Sequence, residues 1–279
     1  MAHYHNPDND PVQHLPDDAT LGRMVEMARQ SERIVFFTGA GISTESGLPD
    51  YRGPQGVWQT GEIPHIDNIK YDDASRLRFW EDRRERYPFM QSRKPNDGHR
   101  AIARLEETGK LLAVITQNID SLHQKAGTHP ERVIELHGNA HDLRCLNCGH
   151  IMSGEDVQRE LEAGNPDPRC EVCGGPLRSS TILFGEPLPA KALELAGKVS
   201  LVTDLMIVVG SSLVVNPAAR LPAIAKKHNA GLIIVNRTET PLDAQADIVV
   251  RTEAGPTLRA MVDGVMADRA SGESGQEDS

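Results

Sequence analysis

Basic residues are in short supply. Thirty Lys and Arg stand against forty Asp and Glu, a formal net charge of −10. A surface of that sign repels a phosphate backbone, so no specific nucleic-acid partner is expected. Long apolar runs are missing as well. None approaches the roughly 18 residues that cross a bilayer, so no membrane-spanning helix is expected. The first twenty residues, MAHYHNPDNDPVQHLPDDAT, lack the basic-then-apolar order of a secretion signal. Aromatics make up only 4% of the chain, against 38% for all hydrophobic residues. The core must therefore be mainly aliphatic. Only four cysteines occur in 279 residues, all between positions 145 and 173. A long chain without a secretion signal is a poor candidate for a disulfide scaffold, and the expected location is cytoplasmic.

Short β-branched runs recur at Ile34–Phe37, Leu112–Thr116, Val133–Leu136, Thr181–Phe184, Leu205–Val209, Leu232–Val235 and Ile248–Val250. Several are continuous rather than alternating, as in strands buried on both faces of a parallel sheet. Helical patterns lie between them, including His99–Thr108 and Pro217–His228. Alternating strands and helices predict an α/β fold, a Rossmann-like doubly wound parallel sheet. Two intervals break the rhythm. One follows the glycine loop and the other contains the cysteines. They predict a second, smaller zinc-binding domain formed from insertions at about 56–94 and 141–179. The core then comprises about 21–55, 95–140 and 180–265. A disordered leader (1–20) and a disordered tail (266–279) flank it.

The cysteines carry the most specific chemical signal. Cys145-Leu146-Asn147-Cys148 and Cys170-Glu171-Val172-Cys173 are two Cys-x-x-Cys knuckles 21 residues apart. This spacing matches tetrahedral Zn²⁺ with Cys145, Cys148, Cys170 and Cys173 as ligands. Four cysteines close the coordination sphere, so the ion, one per chain, is structural. Gly149 and Gly174-Gly175 follow the knuckles, where tight turns are needed. Redox use and a nucleic-acid-binding ribbon are weaker alternatives, because the interval is acidic and lacks stacking aromatics.

The stretch TGAGISTESGLPDYRGPQGVW (38–58) follows the first strand. Gly39-Ala40-Gly41 provides two of the three glycines of a dinucleotide fingerprint, with Thr44 where the third would stand. A backbone able to approach phosphate closely is one reading and an ordinary turn is the other. No acidic residue ends a second strand about twenty residues on, which argues against an ordinary dehydrogenase. Thr116-Gln117-Asn118-Ile119-Asp120-Ser121 follows the strand at 112–116, at the sheet edge where open α/β folds bind ligands. Its polar side chains suit ribose or amide contacts; the competing reading has Asp120 or Ser121 capping a helix. His137-Gly138, Gly210-Ser211-Ser212 and Asn236-Arg237-Thr238 end three further strands. Each is compatible with an ordinary turn, but together they favour a cleft of dinucleotide length.

Taken in order, GAGIS (39–43), SGLPDYR (46–52), TQNIDSLHQKAG (116–127), ELHGN (135–139), the cysteines, FGE (184–186), GSSLVVNPAARLP (210–222) and VN (235–236) resemble the sirtuin family of NAD-dependent protein deacylases, in a bacterial form. The resemblance covers about residues 30–255. It implies a protein lysine deacetylase that consumes NAD⁺ as co-substrate. Acylated-lysine proteins would be its partners. The products would be nicotinamide, O-acyl-ADP-ribose and free lysine. By the same resemblance His137 is the catalytic base and Asn118 a catalytic partner. Gly39, Ala40, Gly41, Asp50, Tyr51 and Arg52 form the cofactor loop. Ser43, Gln117, Asn118 and Asp120 surround the nicotinamide and its ribose. Gly210, Ser211, Ser212, Asn236 and Ala254 hold the adenosine side. Phe184, Gly185 and Glu186 pair with the peptide as an added strand.

A neutral imidazole suits the step in which a ribose hydroxyl loses its proton. The Asp50-Tyr51-Arg52 hook is expected to act as a movable flap over the cofactor. Tyr51 replaces the commoner Phe. The nearest equivalent of an acyl-carboxylate-reading Tyr-x-x-Arg pair is Trp80-Glu81-Asp82-Arg83, which favours an uncharged acyl group. Two alternatives remain open on sequence. One is mono-ADP-ribosyl transfer through the same NAD⁺ cleavage. The other is a non-enzymatic NAD-sensing or zinc-ribbon module.

Overall fold

A computed structural model of the protein describes residues 14–50, 72–183 and 185–273. Its main sheet has six parallel strands: β1 (Ile34–Thr38), β2 (Leu111–Thr116), β3 (Val133–Glu135), β7 (Leu205–Val209), β8 (Gly231–Val235) and β9 (Ile248–Val250). Their order is β3-β2-β1-β7-β8-β9. The chain winds outward from β1 to β3, then returns to β7 and winds the other way. The crevice beyond the carboxyl ends of β1 and β7 is thus the topological switch point of a doubly wound sheet.

The continuous apolar strands have the structure their composition demands. All five residues of β1 and of β7 are buried. Ile34 and Phe36 join the core on one face, with α1 (Asp18–Gln30), α3 (Asp97–Glu106) and α8 (Ala254–Glu273). Val35 and Phe37 join the core on the other, with α6 (Ala190–Val202) and α7 (Arg220–Lys227). Each fully buried large side chain contributes about 1.5–3 kcal/mol.

Both chain-end boundaries differ from the expectation. Residues 18–20 open α1 instead of closing a leader. Asp17 accepts the backbone N–H of Thr20 at 2.9 Å and its hydroxyl at 2.8 Å, an N-cap that starts the helix. At the other end, α8 continues past residue 265 to Glu273.

A second, antiparallel sheet has the order β5-β4-β6, from β4 (Asp142–Cys145), β5 (Ile151–Ser153) and β6 (Leu177–Ser179). It has a core of its own, in which Trp80 packs with Leu143, Met152, Val157, Leu161 and Leu177. Trp80 comes from α2 (Asp73–Gln91), whose buried residues Arg76, Trp80, Arg83 and Tyr87 follow helical spacing along one face. Arg76 grips Asp167 through two bonds of 3.0 and 3.1 Å, tying α2 to the cysteine-bearing segment. Residues from both irregular intervals therefore share one core, together with α5 (Gly154–Glu162).

The predicted strand at Thr181–Phe184 is not formed. Phe184 lies outside the described residues. Thr181–Leu183 belong to no strand, and the nearby strand is β6, in the small sheet. The reason is a close crossing. Gly138 has φ +66°, and a Cβ there would lie 2.1 Å from the carbonyl oxygen of Ser180. Ile182 N–H donates to the carbonyl of His137 at 2.8 Å. The apolar run is thus a connection pinned over the end of β3.

Candidate active site

The glycine loop packs first of all against another loop. After β1 the chain enters a 3-10 helix, Ala40–Ser46. Gly39 N–H donates to the carbonyl of Val209 at 3.0 Å, and Gly41 N–H to that of Gly210 at 2.9 Å. A Cβ on Gly39 would stand 2.7 Å from the Gly210 oxygen, and one on Gly41 2.7 Å from the Gly210 Cα. Gly210 itself has φ +59°, and its Cβ would meet Ile42 N at 2.3 Å. These three glycines let the loops after β1 and β7 touch across the switch point. Thr44, in place of a third glycine, donates its hydroxyl to the Gly41 carbonyl at 2.9 Å.

The residues after β2 hold the centre. Asn118 is buried and donates from Nδ2 to Ser43 Oγ at 3.1 Å. Ser43 in turn donates to Asp120 Oδ2 at 2.7 Å. This chain orients the Asn118 amide and joins the β1 loop to the β2 loop. Asp120 bonds in two directions. One oxygen receives Ser43 and the other receives Leu122 N–H at 2.9 Å, at the start of the short helix α4 (Leu122–Lys125). Burial raises its pKa, while the N–H of Leu122 and the hydroxyl of Ser43 oppose that shift. Ser121 makes no side-chain cap.

His137 lies one residue past Leu136, at the end of β3. Its Nδ1 is 3.0 Å from the carbonyl oxygen of Gln117. A carbonyl only accepts, so Nδ1 carries the proton and Nε2 holds a free electron pair. Burial lowers the His137 pKa and the Gln117 carbonyl partly restores it, which leaves the ring neutral near pH 7. Gln117 also donates from Nε2 to Ser211 Oγ at 2.8 Å, so the loops after β2, β3 and β7 are linked. His137, Gln117, Asn118, Ser43, Asp120 and Ser211 thus form one connected polar cluster at the switch point, with Gly39, Ala40, Gly41 and half-buried Ser212 around it.

Asn236 and Ala254 lie farther out, after β8 and β9. Asn236 donates from Nδ2 to the carbonyl of Thr238 at 2.8 Å, and Ala254 opens α8. Asp50 is the last described residue of its segment. Tyr51 and Arg52 lie outside the described residues, and with them the expected flap. Gly185 adopts a left-handed turn at φ +89°. Glu186 is engaged by buried Arg178 at 2.6 Å and accepts Leu183 N–H at 2.9 Å, so its carboxylate is already committed.

The Trp80–Arg83 pair lies in the small unit. Trp80 is fully buried in the small core. Arg83 is 6% exposed, donates to the carbonyl of Ala140 at 3.1 Å and stacks over Tyr87 at 4.0 Å. Both side chains lie in the interior, with Trp80 Nε1 and two of the Arg83 nitrogens unpaired among the described residues. Two further residues escaped the sequence reading. Glu45 accepts Gly255 N–H at 2.9 Å, bracing the glycine loop against α8. Asn96 donates to the carbonyl of Ile42 at 2.6 Å while its oxygen caps α3. The cap pattern was legible; the long-range bond was not.

The four cysteine sulfurs lie within 4.8 Å of one another. Cys145–Cys173 and Cys148–Cys170 approach to 3.4 and 3.7 Å, near the roughly 3.8 Å edge of a tetrahedron with Zn–S bonds of about 2.3 Å. Gly149 N–H returns to the Cys145 carbonyl at 3.0 Å and Gly174 N–H to that of Cys170 at 2.8 Å. Both glycines have positive φ, so the two knuckles are matched turns. The donor set fits Zn²⁺ and leaves no open position.

A family model described as the Sir2 family matches residues 39–217, well over half of the chain. The chain belongs to the Sir2 family. It is 42% identical over 249 residues to an NAD-dependent protein deacetylase of Thermodesulfovibrio yellowstonii, covering 89% of this chain and 96% of that one. It is 43% identical over 244 residues to a deacetylase of the same name from Caldivirga maquilingensis, covering 87% and 92%. Among solved structures it resembles a Sir2 enzyme at a TM-score of 0.81 and 41% identity, over 91% of this chain and all of that one. It also resembles a Sir2 protein bound to a p53 peptide and NAD⁺, at a TM-score of 0.77 and 39% identity, over 90% and 99% of the two chains.

Proposed function

We propose that this Sir2-family protein is an NAD⁺-dependent protein lysine deacetylase. It transfers the acyl group to ADP-ribose and releases nicotinamide and free lysine. The observation that carries this reading is the His137 tautomer: Nδ1–H is held by the Gln117 carbonyl and Nε2 is free to take a proton. Its depressed pKa keeps the base unprotonated at working pH. NAD⁺ is consumed as substrate. Gly39, Ala40, Gly41, Gly210, Ser211 and Ser212 would cradle its phosphates at the switch point. Asn118, Ser43, Asp120 and Gln117 would surround the nicotinamide ribose. Asn236 and Ala254 would take the adenosine end, and Asp50, Tyr51 and Arg52 the loop beside the leaving group.

Phe184, Gly185 and Glu186 would offer backbone to an extended acyl-lysine peptide, with the Glu186 carboxylate left on Arg178. Zn²⁺ on Cys145, Cys148, Cys170 and Cys173 would hold the small sheet together and stay out of the chemistry. The small unit would be built from the two insertions, as the core shared by Trp80 and Leu143 supports. An uncharged acyl group such as acetyl is the preferred substrate, since Trp80 stands where a Tyr-x-x-Arg pair would offer its hydroxyl to an acyl carboxylate. A cytoplasmic location fits four thiols set for metal rather than disulfides.

Incubation with an acetyl-lysine peptide, with and without NAD⁺, tests the proposal by mass. Loss of about 42 Da only with NAD⁺, abolished in His137→Ala, is expected. ADP-ribose appearing on protein instead would replace this reading with ADP-ribosyl transfer. An unchanged peptide would end it.

A further inference from the structure

Two histidines lie deeper than the cluster just described, and the proposed chemistry uses neither. His99, in α3, and His123, in α4, are 0% and 1% exposed. Their rings meet with centroids 4.9 Å apart at a tilt of 59°. As simple core filling they are a poor choice. Among the described residues, His99 Nε2 and His123 Nδ1 have no partner, and a buried unpaired polar atom disfavours the fold. A leucine would fill the space without that penalty. The other edge of His123 shows what the ring is for.

His123 Nε2 lies 3.0 Å from Thr38 Oγ1. Thr38 donates its hydroxyl to Thr116 Oγ1 at 2.9 Å. The proton between ring and Thr38 therefore comes from the ring, as Nε2–H. Thr116 Oγ1 also receives the backbone N–H of Asn118 at 3.0 Å. Thr38 and Thr116 are the last residues of β1 and β2 and stand opposite each other in register. The relay clamps the two central strands at the point where the glycine loop and the Gln117–Asp120 loop leave them. Gln117, between Thr116 and Asn118, orients His137 through its carbonyl. Burial holds the His123 ring neutral, with a pKa pushed down to about 4, so the Nε2–H tautomer is stable across the working range.

We infer that His123, backed by His99, is a positioning residue for the reaction, acting through the hydroxyls of Thr38 and Thr116 on the backbone of Asn118. This rests on the proposal that Asn118 and His137 serve NAD⁺ cleavage. The relay sets where the Asn118 amide and the Gln117 carbonyl stand, and a shift of a fraction of an ångström there misplaces both groups against the reacting ribose.

Three variants separate this role from packing. His123→Gln keeps an N–H donor near the Nε2 position. His123→Leu keeps apolar bulk and no donor. Thr38→Val removes the middle hydroxyl at constant volume. A packing role predicts that His123→Leu equals or exceeds His123→Gln; a positioning role predicts the reverse. With NAD⁺ and an acetyl-lysine peptide, kcat for nicotinamide release should fall about tenfold or more in His123→Leu and Thr38→Val. KM for the peptide should hardly change, and His123→Gln should stay within about threefold of wild type. In ¹H–¹⁵N spectra of the ligand-free protein, the backbone amide of Asn118 reports on the relay directly. It should shift in His123→Leu and Thr38→Val and stay near its wild-type position in His123→Gln.

If folded His123→Leu and Thr38→Val keep kcat within about twofold of wild type, or if His123→Leu performs as well as His123→Gln, the inference is wrong. Should His123→Leu fail to fold, Thr38→Val decides alone. A wild-type protein that releases no nicotinamide would overturn the proposed function instead, and the Asn118 amide shifts would still decide the positioning role.

Discussion

The buried histidines make stability depend on acid in a calculable way. His123 titrates near 6.5 in an unfolded chain and is pushed down to about 4 in the fold by burial. Between those values the unfolded chain holds a proton that the folded one excludes, so acid favours unfolding. Its contribution is intact above about pH 6.5 and is lost as the pH falls toward 4. At about 1.4 kcal/mol per pH unit, His123 alone costs roughly 2 kcal/mol of stability by pH 5 and about 3 kcal/mol by pH 4. His99 acts in the same direction, through burial and then its neighbour His123. Asp120 and Glu135 act the other way, since burial raises their pKa values and protonation favours the fold. Comparison with a variant isolates the histidine. Urea unfolding of wild type and His123→Gln, at steps from pH 7.5 to 5.0, should give stability lines of different slope. The wild-type line should be steeper below pH 6.5 by roughly 1 kcal/mol per unit. The baseline of the variant does not matter, because the slope carries the result. Parallel lines would refute a neutral, acid-excluding His123.

Other perturbations test the loop contact and the metal site. Gly210→Ala should destabilise the protein by roughly 3 kcal/mol or more and abolish ADP-ribose binding by calorimetry, because the new Cβ would sit 2.3 Å from Ile42 N at a positive φ. Gly197→Ala, in α6 with nothing within 4 Å of its Cβ, should instead gain up to about 1 kcal/mol. A similar loss in both would show that the loop contact is not the cause. Metal analysis should find one zinc per chain. Chelation or Cys148→Ser should lower the melting temperature and expose Trp80, whose small core includes Cys145 and Cys170, as a red-shifted emission. A metal-free protein with an unchanged melting curve would remove zinc from the account.

Much of this protein is determined by its sequence alone, because much of the information is local. Buried parallel strands need continuous β-branched runs, and β1, β7 and β9 appear where those runs lie. Metal knuckles need fixed spacing and a following glycine, so the cysteine quartet and its turns are legible from four residues and their neighbours. The polar residues ending β2, β3 and β7 mark one side of the sheet for the same reason: a strand's end is set by the strand. Tertiary structure decided what happens where distant segments meet. Gly39, Gly41 and Gly210 read as room for a phosphate, and they turn out first to be room for each other. The apolar run Thr181–Phe184 has a strand's composition, but Gly138 brings the Ser180 carbonyl across it and no ladder forms there. Trp80 and Arg83 have the spacing of a ligand-reading pair, yet the small sheet folds over them. His99 and His123 are ordinary members of two helical patterns until the fold sets their rings together behind Thr38 and Thr116. In each case the deciding contact joins residues about 24 to 171 positions apart, and its energy depends on a geometry that exists only once the whole sheet has closed.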